Sequence, residues 1–183
     1  MSRDIVVIVG SLRKESLNLK LAHALIALQP PGLKLEITPI AQLPMFNPDL
    51  EATPYPEWSA FKDRIKRADA VLFVTPEYNR SVPGVLKNAI DAASRPYGQS
   101  AWYGKPAAVI TASPGAIGGF GANHHLRQML VFLNMPAMQQ PEAYVGTADK
   151  LFDKEDRLIN SDTEKFLKTF LAAFEKWIDA NVI

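Results

Sequence analysis

The chain has 183 residues, 48% hydrophobic and 21% charged, a composition typical of one globular domain with a substantial core. A formal net charge of +1 gives no electrostatic reason to expect nucleic-acid or membrane binding, and it disfavours a strongly acidic electron carrier. No cysteine is present, which excludes disulfides, thiolate nucleophiles and thiolate metal sites. Strand-like sequence begins by about Ile5 and no apolar run is long enough for a membrane span, so we expect a cytoplasmic protein.

Strand-like and helix-like segments alternate along the first half of the chain. Ile5–Val9 is apolar at every position, as in a central parallel strand, and leucines at helical spacing follow from Leu17 to a Pro-Pro-Gly stop. Alternating apolar and polar residues over 33–38 predict a half-exposed edge strand. A long proline-bearing connection, Pro39–Pro56, leads to a helix predicted over Trp58–Arg67. This connection either walls a binding site or covers an edge of the core.

The second half continues the same alternation. Ala70–Thr75 is a fully apolar strand, a helix follows to about Ser94, and Ala107–Thr111 is the next strand. A helix around Leu126 and a last strand somewhere between 137 and 145 come next. The final helix carries an apolar stripe that we interpret as core rather than as a cofactor box. The stripe consists of Phe166, Phe170, Phe174, Trp177 and Ile178.

Five strands with intervening helices predict an α/β fold. We expect a single flavodoxin-like domain over residues 1–183, with a doubly wound, five-stranded parallel sheet of order 2-1-3-4-5 and helices on both faces. Right-handed crossovers bring the loops after strands 1, 3 and 4 to the carboxyl edge of the sheet, where ligands bind in such folds. The three most distinctive stretches of the sequence fall on these three loops.

Loop 1, residues 10–18, is rich in hydroxyl groups and contains one guanidinium. Ser11 and Ser16 offer hydroxyl donors, Asn18 an amide, and Arg13 a group that pairs with two phosphate oxygens. At the start of a helix these groups favour an anion. The alternative is that a serine only caps the helix and Arg13 is solvated. Because the loop lacks both the P-loop and the dinucleotide fingerprint, we predict a single phosphate monoester.

Loop 2, residues 76–84, and loop 3, residues 111–121, carry the other two patterns. Two prolines in loop 2 flank a polar-aromatic stretch, which fixes backbone groups for the edge of a heteroaromatic ligand, with Tyr78 beside or over the ring. Loop 3 contains four glycines, which let a backbone approach a ligand closely. Taken singly, either loop is also consistent with an ordinary turn.

Taken together, the three loops resemble the NADPH-dependent FMN reductase family. The resemblance extends from about residue 4 to residue 145, and within the family the chain looks like the quinone- and chromate-reducing flavoproteins. It implies a flavodoxin-like fold, tightly but non-covalently bound FMN, use of NADH or NADPH, and a homodimer or homotetramer. The motifs that carry it are Gly10-Ser11-Leu12-Arg13 with Ser16 and Asn18, Pro76-Glu77-Tyr78-Asn79 with the segment 81–91, and Ser113-Pro114-Gly115.

The resemblance also implies residue roles. The FMN phosphate is assigned to Ser11, Arg13, Ser16 and Asn18. The isoalloxazine ring is assigned to Pro76, Glu77, Tyr78 and Asn79 on one flank and to Ser113 and Gly115 on the other. One departure is the segment 92–95, Ala-Ala-Ser-Arg, where many relatives carry a tryptophan.

The expected chemistry is hydride transfer from NAD(P)H through bound FMN to an acceptor. The candidate acceptors are a quinone, chromate, an azo compound and free flavin. The flavin carries the redox step, so no side chain is assigned as catalytic; Tyr78 is a candidate wall of the acceptor site.

No metal is expected, because His124 and His125 are adjacent and point about 100° apart in a helix. We expect those histidines on a solvated helix face; a position near the flavin mouth or at a subunit contact is the alternative. A flavodoxin-like electron carrier and a non-catalytic flavin sensor are the alternatives.

Overall fold

The structure is a computed structural model that describes residues 2–182. Five strands and five α-helices alternate along the chain, with two short 3-10 helices at 48–50 and 148–150. The strands are β1 (Arg3–Val9), β2 (Leu33–Ile37), β3 (Ala70–Thr75), β4 (Ala107–Ala112) and β5 (Ala143–Val145). The helices are α1 (Leu17–Ala27), α2 (Pro56–Arg67), α3 (Gly84–Ser94), α4 (Phe120–Phe132) and α5 (Ser161–Asn181).

All strands are parallel and form one sheet of order β2-β1-β3-β4-β5, which confirms the predicted topology. Strands β3 and β4, which are apolar except for Thr75 and Thr111, are buried at every position, as central strands covered on both faces must be. The register aligns Val9 with Val74 and Thr75 with Thr111, so β1, β3 and β4 end at the same edge. Loops 1, 2 and 3 leave the sheet there.

The core lies in two layers, one on each face of the sheet. On one face, α1 and α5 pack against alternate strand residues, and Phe170, Phe174 and Ile178 of the predicted aromatic stripe are buried there. On the other face, α2, α3 and α4 pack around Phe73 and Trp102. The stripe is therefore core, as predicted.

The connection 39–56 covers an edge of the core. Asn88 of α3 donates from Nδ2 to the carbonyls of Leu43 (3.2 Å) and Pro44 (3.1 Å), and its Oδ1 accepts from the Phe46 N–H (2.7 Å). Trp58 also donates from Nε1 to the Pro44 carbonyl (2.9 Å). These bonds hold the irregular segment against α2 and α3. Within the described part of the chain, no helix combines the length and apolar character needed to span a membrane.

Candidate functional site

A cleft opens at the carboxyl edge of the sheet where loops 1, 2 and 3 meet. Eight of the ten residues predicted to bind a cofactor line it, together with Leu17, Ala112 and Pro114. The eight are Ser11, Arg13, Ser16, Asn18, Pro76, Glu77, Tyr78 and Ser113. Asn79 and Gly115, both exposed, lie outside this lining.

The floor of the cleft near loop 1 is the first turn of α1. Ser16 is its N-cap, and its buried Oγ accepts from the Leu19 N–H (3.2 Å). The N–H groups of Leu17 and Asn18 have no partner inside the helix, as at any helix start. The first turn contains no acidic residue, and the exposed Arg13 stands on the same loop. Capping by Ser16 and an anion site are therefore compatible uses of one helix start.

Asn18 connects the loop 1 side of the cleft to the end of β4, where loop 3 begins. Its Nδ2 donates to the Ala112 carbonyl (3.0 Å) and its Oδ1 accepts from the Ala112 N–H (3.1 Å), while the side chain is almost fully buried. Ala112 is the last residue of β4 and immediately precedes Ser113 of loop 3. One amide hydrogen of Asn18 is left for a ligand, since the other is used by Ala112. Asn18 thus fixes loop 1 relative to loop 3.

Replacing Asn18 by leucine is expected to lower the free energy of unfolding by about 2–3 kcal/mol, because two buried backbone groups of Ala112 lose their partner. Urea unfolding of the flavin-free protein measures this effect. His23→Leu, at an exposed position of the same helix, is the control and is expected to change stability by less than about 0.5 kcal/mol. Equal effects of both substitutions would contradict the role of Asn18.

Loop 2 forms a two-residue hairpin at the mouth of the cleft. The Tyr78 N–H donates to the Ser81 carbonyl (2.9 Å) and the Ser81 N–H to the Tyr78 carbonyl (3.0 Å). The two residues between them, Asn79 and Arg80, both have positive φ, 50° and 67°. Tyr78 lines the cleft, and 45% of its surface is exposed. Its ring is therefore accessible to a ligand above the cleft.

The Glu77 side chain holds loop 2 against the start of α4. Its Oε2 accepts from the Ala122 N–H (3.0 Å), a bond that α4 needs because its N-cap, Gly119, has no side chain. A Cβ on Gly121 would lie 2.8 Å from that oxygen and 2.9 Å from the backbone carbonyl oxygen of Arg80, and the backbone contact favours glycine at this position. The sequence analysis assigned Glu77 to the isoalloxazine ring and did not predict its contact with α4. A carboxylate that follows a buried strand and a helix start without a polar N-cap were the available signals.

Loop 3 is fastened to the end of β5. The Ser113 N–H donates to the Val145 carbonyl (3.0 Å), and the Ala148 N–H donates to the Ser113 carbonyl (3.0 Å). Gly118 has a φ of 64°, and a Cβ there would lie 2.6 Å from the Tyr144 carbonyl carbon. The loop therefore passes directly over the backbone of β5, which only glycine allows. Ser113 Oγ accepts from the Gly115 N–H (3.1 Å) within the loop.

The cleft between the loops is small, about 110 Å³. Sites that enclose a drug-sized ligand measure ~300–1,000 Å³. The cleft is therefore too small to enclose a ligand of that size, and its volume leaves room only for a small polar group.

An aromatic cluster stands beside loop 3. His124 packs on Phe120 with ring centroids 4.1 Å apart, and its Nε2 lies 3.0 Å from the Tyr144 hydroxyl. Burial raises the pKa of Tyr144 to about 12, and a hydrogen bond with Glu142 adds to the shift. The tyrosine is therefore a neutral hydroxyl at physiological pH. The expectation of a solvated face is met by His125, which is exposed, but not by the partly buried His124.

Because the pKa of Tyr144 rises from 10.0 to about 12 on folding, the folded protein retains this proton above the pH at which the unfolded chain releases it. This contribution to stability is complete below pH 10.0 and is lost as the pH rises towards about 12. Tyr144→Phe is expected to unfold with a shallower dependence of stability on pH in that window. Tyr103→Phe, at a 70% exposed position, should retain the wild-type slope.

Comparisons with known proteins identify the family of this chain. A family model described as NADPH-dependent FMN reductase matches residues 3–150, a span that contains all three loops. The chain belongs to this family. Family membership confirms the resemblance inferred from the motifs, the flavodoxin-like fold and the expected class, an oxidoreductase that uses FMN with NAD(P)H.

Several curated relatives match nearly the whole chain. A quinone reductase of Pseudomonas putida (strain KT2440) is 61% identical over 179 residues, 97% of this chain and 96% of the relative. A 2-hydroxy-1,4-benzoquinone reductase of a Burkholderia species is 46% identical, covering 97% of each chain. The structure is similar to that of FerB, a flavoenzyme NAD(P)H:(acceptor) oxidoreductase from Paracoccus denitrificans. The TM-score is 0.93, with 44% identity over 99% of this chain and 100% of FerB.

Proposed function

We propose that this protein is a quinone reductase that holds FMN in the cleft of loops 1, 2 and 3 and uses NADPH or NADH as electron donor. The observation that carries the proposal is the convergence of eight predicted residues from three loops on one cleft at the carboxyl edge of the sheet. Relatives named quinone reductase, up to 61% identical to this chain, support the choice of acceptor. The single FMN-binding domain is proposed to comprise the whole chain.

The donor set in the cleft fits FMN. The hydroxyls of Ser11 and Ser16, the Arg13 guanidinium and the start of α1 supply hydrogen-bond donors and positive charge for one phosphate. The backbone of Pro76–Tyr78 and Ser113 would lie along the ring, and Asn79 and Gly115 are proposed to contact it from the rim. When bound, FMN supplies the hydride acceptance and donation that protein side chains cannot perform.

The residues of this chain bind and orient the reactants. Asn18 and Glu77 hold the three loops in a fixed arrangement, so the polar backbone groups of loop 2 are in place before the ligand arrives. Tyr78, 45% exposed, walls the open side over which donor and acceptor would take turns. No side chain is assigned as a general acid, since a quinone can take its second proton from water at an open site.

The test is anaerobic reduction of the FMN-loaded protein. We expect NADPH or NADH to bleach the flavin absorption and a benzoquinone to restore it at a rate that supports turnover. An electron carrier or a flavin sensor would keep its colour with both nucleotides, which would contradict the proposal. The rates measured with chromate, an azo dye or free FMN in place of the quinone show which acceptor is preferred. A protein that stays colourless with excess FMN would exclude flavin chemistry at this cleft.

We further propose a homodimer or homotetramer in the cytoplasm, where the nicotinamide nucleotides are supplied. A groove between α3 and α4 with Ile90 and Met129 in its lining ends at Phe132, which is 82% exposed. Lys87 and Asp91 line the same groove and pair with each other at 2.7 Å, so a second copy related by two-fold symmetry can cover the groove without leaving an unpaired charge from these two residues. Light scattering should report a dimer or tetramer, and Phe132→Asp should shift it towards monomer. A monomer at all concentrations would contradict this assembly.

A further inference from the structure

The hairpin of loop 2 carries an arginine where the backbone favours glycine. In a two-residue hairpin turn with positive φ at both central positions, the second is usually glycine because a Cβ there is strained. The structure has Arg80 at this second position, with a φ of 67°. Asn79 tolerates its own φ of 50°, since asparagine adopts the left-handed region more readily than other side chains. The strain at Arg80 therefore calls for a reason outside the turn.

Contacts within the protein do not supply that reason. The Arg80 side chain is 79% exposed, and its one ion pair joins Nη1 to Glu77 Oε1 at 3.4 Å. An exposed pair of this kind contributes little to stability. Glu77 retains its bond from the Ala122 N–H, so it does not depend on Arg80 for a hydrogen-bond partner. The fold would be served as well by glycine at this position.

The position of Arg80 relative to the cleft is the second observation. It follows Tyr78 by two residues, and its guanidinium reaches Glu77; both of those residues line the cleft. The next residue, Ser81, bonds through Oγ to Nδ1 of the exposed His125 (3.0 Å). The outer edge of the hairpin thus presents an accessible cation on the rim of the proposed FMN site, on a different loop from Arg13.

We propose that Arg80 binds a phosphate group of the nicotinamide dinucleotide when its reactive end lies over the cleft. The inference rests on the proposed function, because it assigns a contact to the electron donor of that reaction. Guanidinium pairs with two phosphate oxygens, and the FMN phosphate is assigned to Arg13 and the start of α1. The donor carries two further sources of the same chemistry, the pyrophosphate of both nucleotides and the 2′-phosphate of NADPH alone.

The experiment compares Arg80→Gln and Arg80→Gly with Arg80→Lys and with Arg67→Gln in the FMN-loaded protein. Arg67 is an exposed arginine at the end of α2, and α2 ends at the edge of the sheet opposite the cleft. Two readouts are taken: KM and kcat for NADPH and NADH, and calorimetric titration with the redox-inert fragments 2′,5′-ADP and ADP. Arg80→Gly suits the left-handed backbone, so its effect cannot come from a damaged hairpin.

We expect loss of the guanidinium to raise KM by about tenfold with kcat unchanged, the size of one charge-assisted contact at an accessible site. If Arg80 binds the 2′-phosphate, the variants should lose affinity only for NADPH and 2′,5′-ADP. If Arg80 binds the pyrophosphate, they should lose affinity for both nucleotides and for ADP. Arg80→Lys should retain part of the affinity, and Arg67→Gln all of it. Unchanged constants in Arg80→Gln and Arg80→Gly would overturn the inference. A wild-type protein that oxidises neither nucleotide would instead contradict the proposed function, and the fragment titrations would still report the phosphate contact.

Discussion

Arg13→Gln is expected to weaken FMN binding by about 10- to 100-fold, because the one guanidinium of loop 1 is proposed to pair with the phosphate. Hydrogen bonds to charged groups contribute about 1.5–3 kcal/mol, which corresponds to this range of affinity. The side chain is exposed, so the substitution should leave the free energy of unfolding of the flavin-free protein within about 0.5 kcal/mol of wild type. Fluorescence titration with FMN measures the affinity.

Lys14→Gln is the matched control for Arg13. Lys14 is the neighbouring exposed cation, so its removal changes the net charge equally but is not part of the cleft lining. We expect at most a threefold loss of FMN affinity, from the weaker general attraction of a distant charge. Riboflavin, which lacks the phosphate, should bind wild type and Arg13→Gln equally. If Arg13→Gln and Lys14→Gln had the same effect on FMN, the phosphate would not lie where loop 1 predicts.

Gly118→Ala is expected to lower the free energy of unfolding by about 2–4 kcal/mol. A Cβ in the left-handed region is strained, and here it would also lie 2.6 Å from the backbone of Tyr144. Relief of the clash requires loop 3 to lift from β5, which displaces Ser113 and Gly115 from their places beside the cleft. FMN affinity should therefore fall together with stability, as measured by urea unfolding and flavin titration.

Gly84→Ala separates this effect from the general effect of removing a glycine. Gly84 is the first residue of α3, has no positive φ, and a Cβ there would meet no atom within 4 Å. We expect it to leave stability unchanged or to raise it by up to about 1 kcal/mol, since alanine restricts the unfolded chain. A Gly118→Ala protein as stable as Gly84→Ala would show that loop 3 does not need its contact with β5.

The fold could be predicted from the spacing of apolar residues, because strands and helices have different spacings in this chain. The nearly continuous apolar runs of β3 and β4 identify central strands, and the alternating pattern at 33–38 identifies the edge strand β2. The weakest prediction was the last strand, placed only within 137–145. Its three residues, Ala143–Val145, are too few to show a period. The sequence could not show that the connection 39–56 covers an edge of the core, because its hydrogen bonds come from Asn88, which is 42 or more residues away in sequence.

The amino-acid sequence by itself determined the order of strands, the three loops at one edge, and the residue types suited to a phosphate. These are properties of local pattern and of chain connectivity, which elementary geometry converts into position. Only the tertiary structure decided that Asn18 and Glu77 clamp the loops together, that Asn79 stays outside the cleft, and that Arg80 stands strained on its rim. Such contacts join residues as many as 94 positions apart, and they depend on how helices settle against the sheet rather than on any local preference.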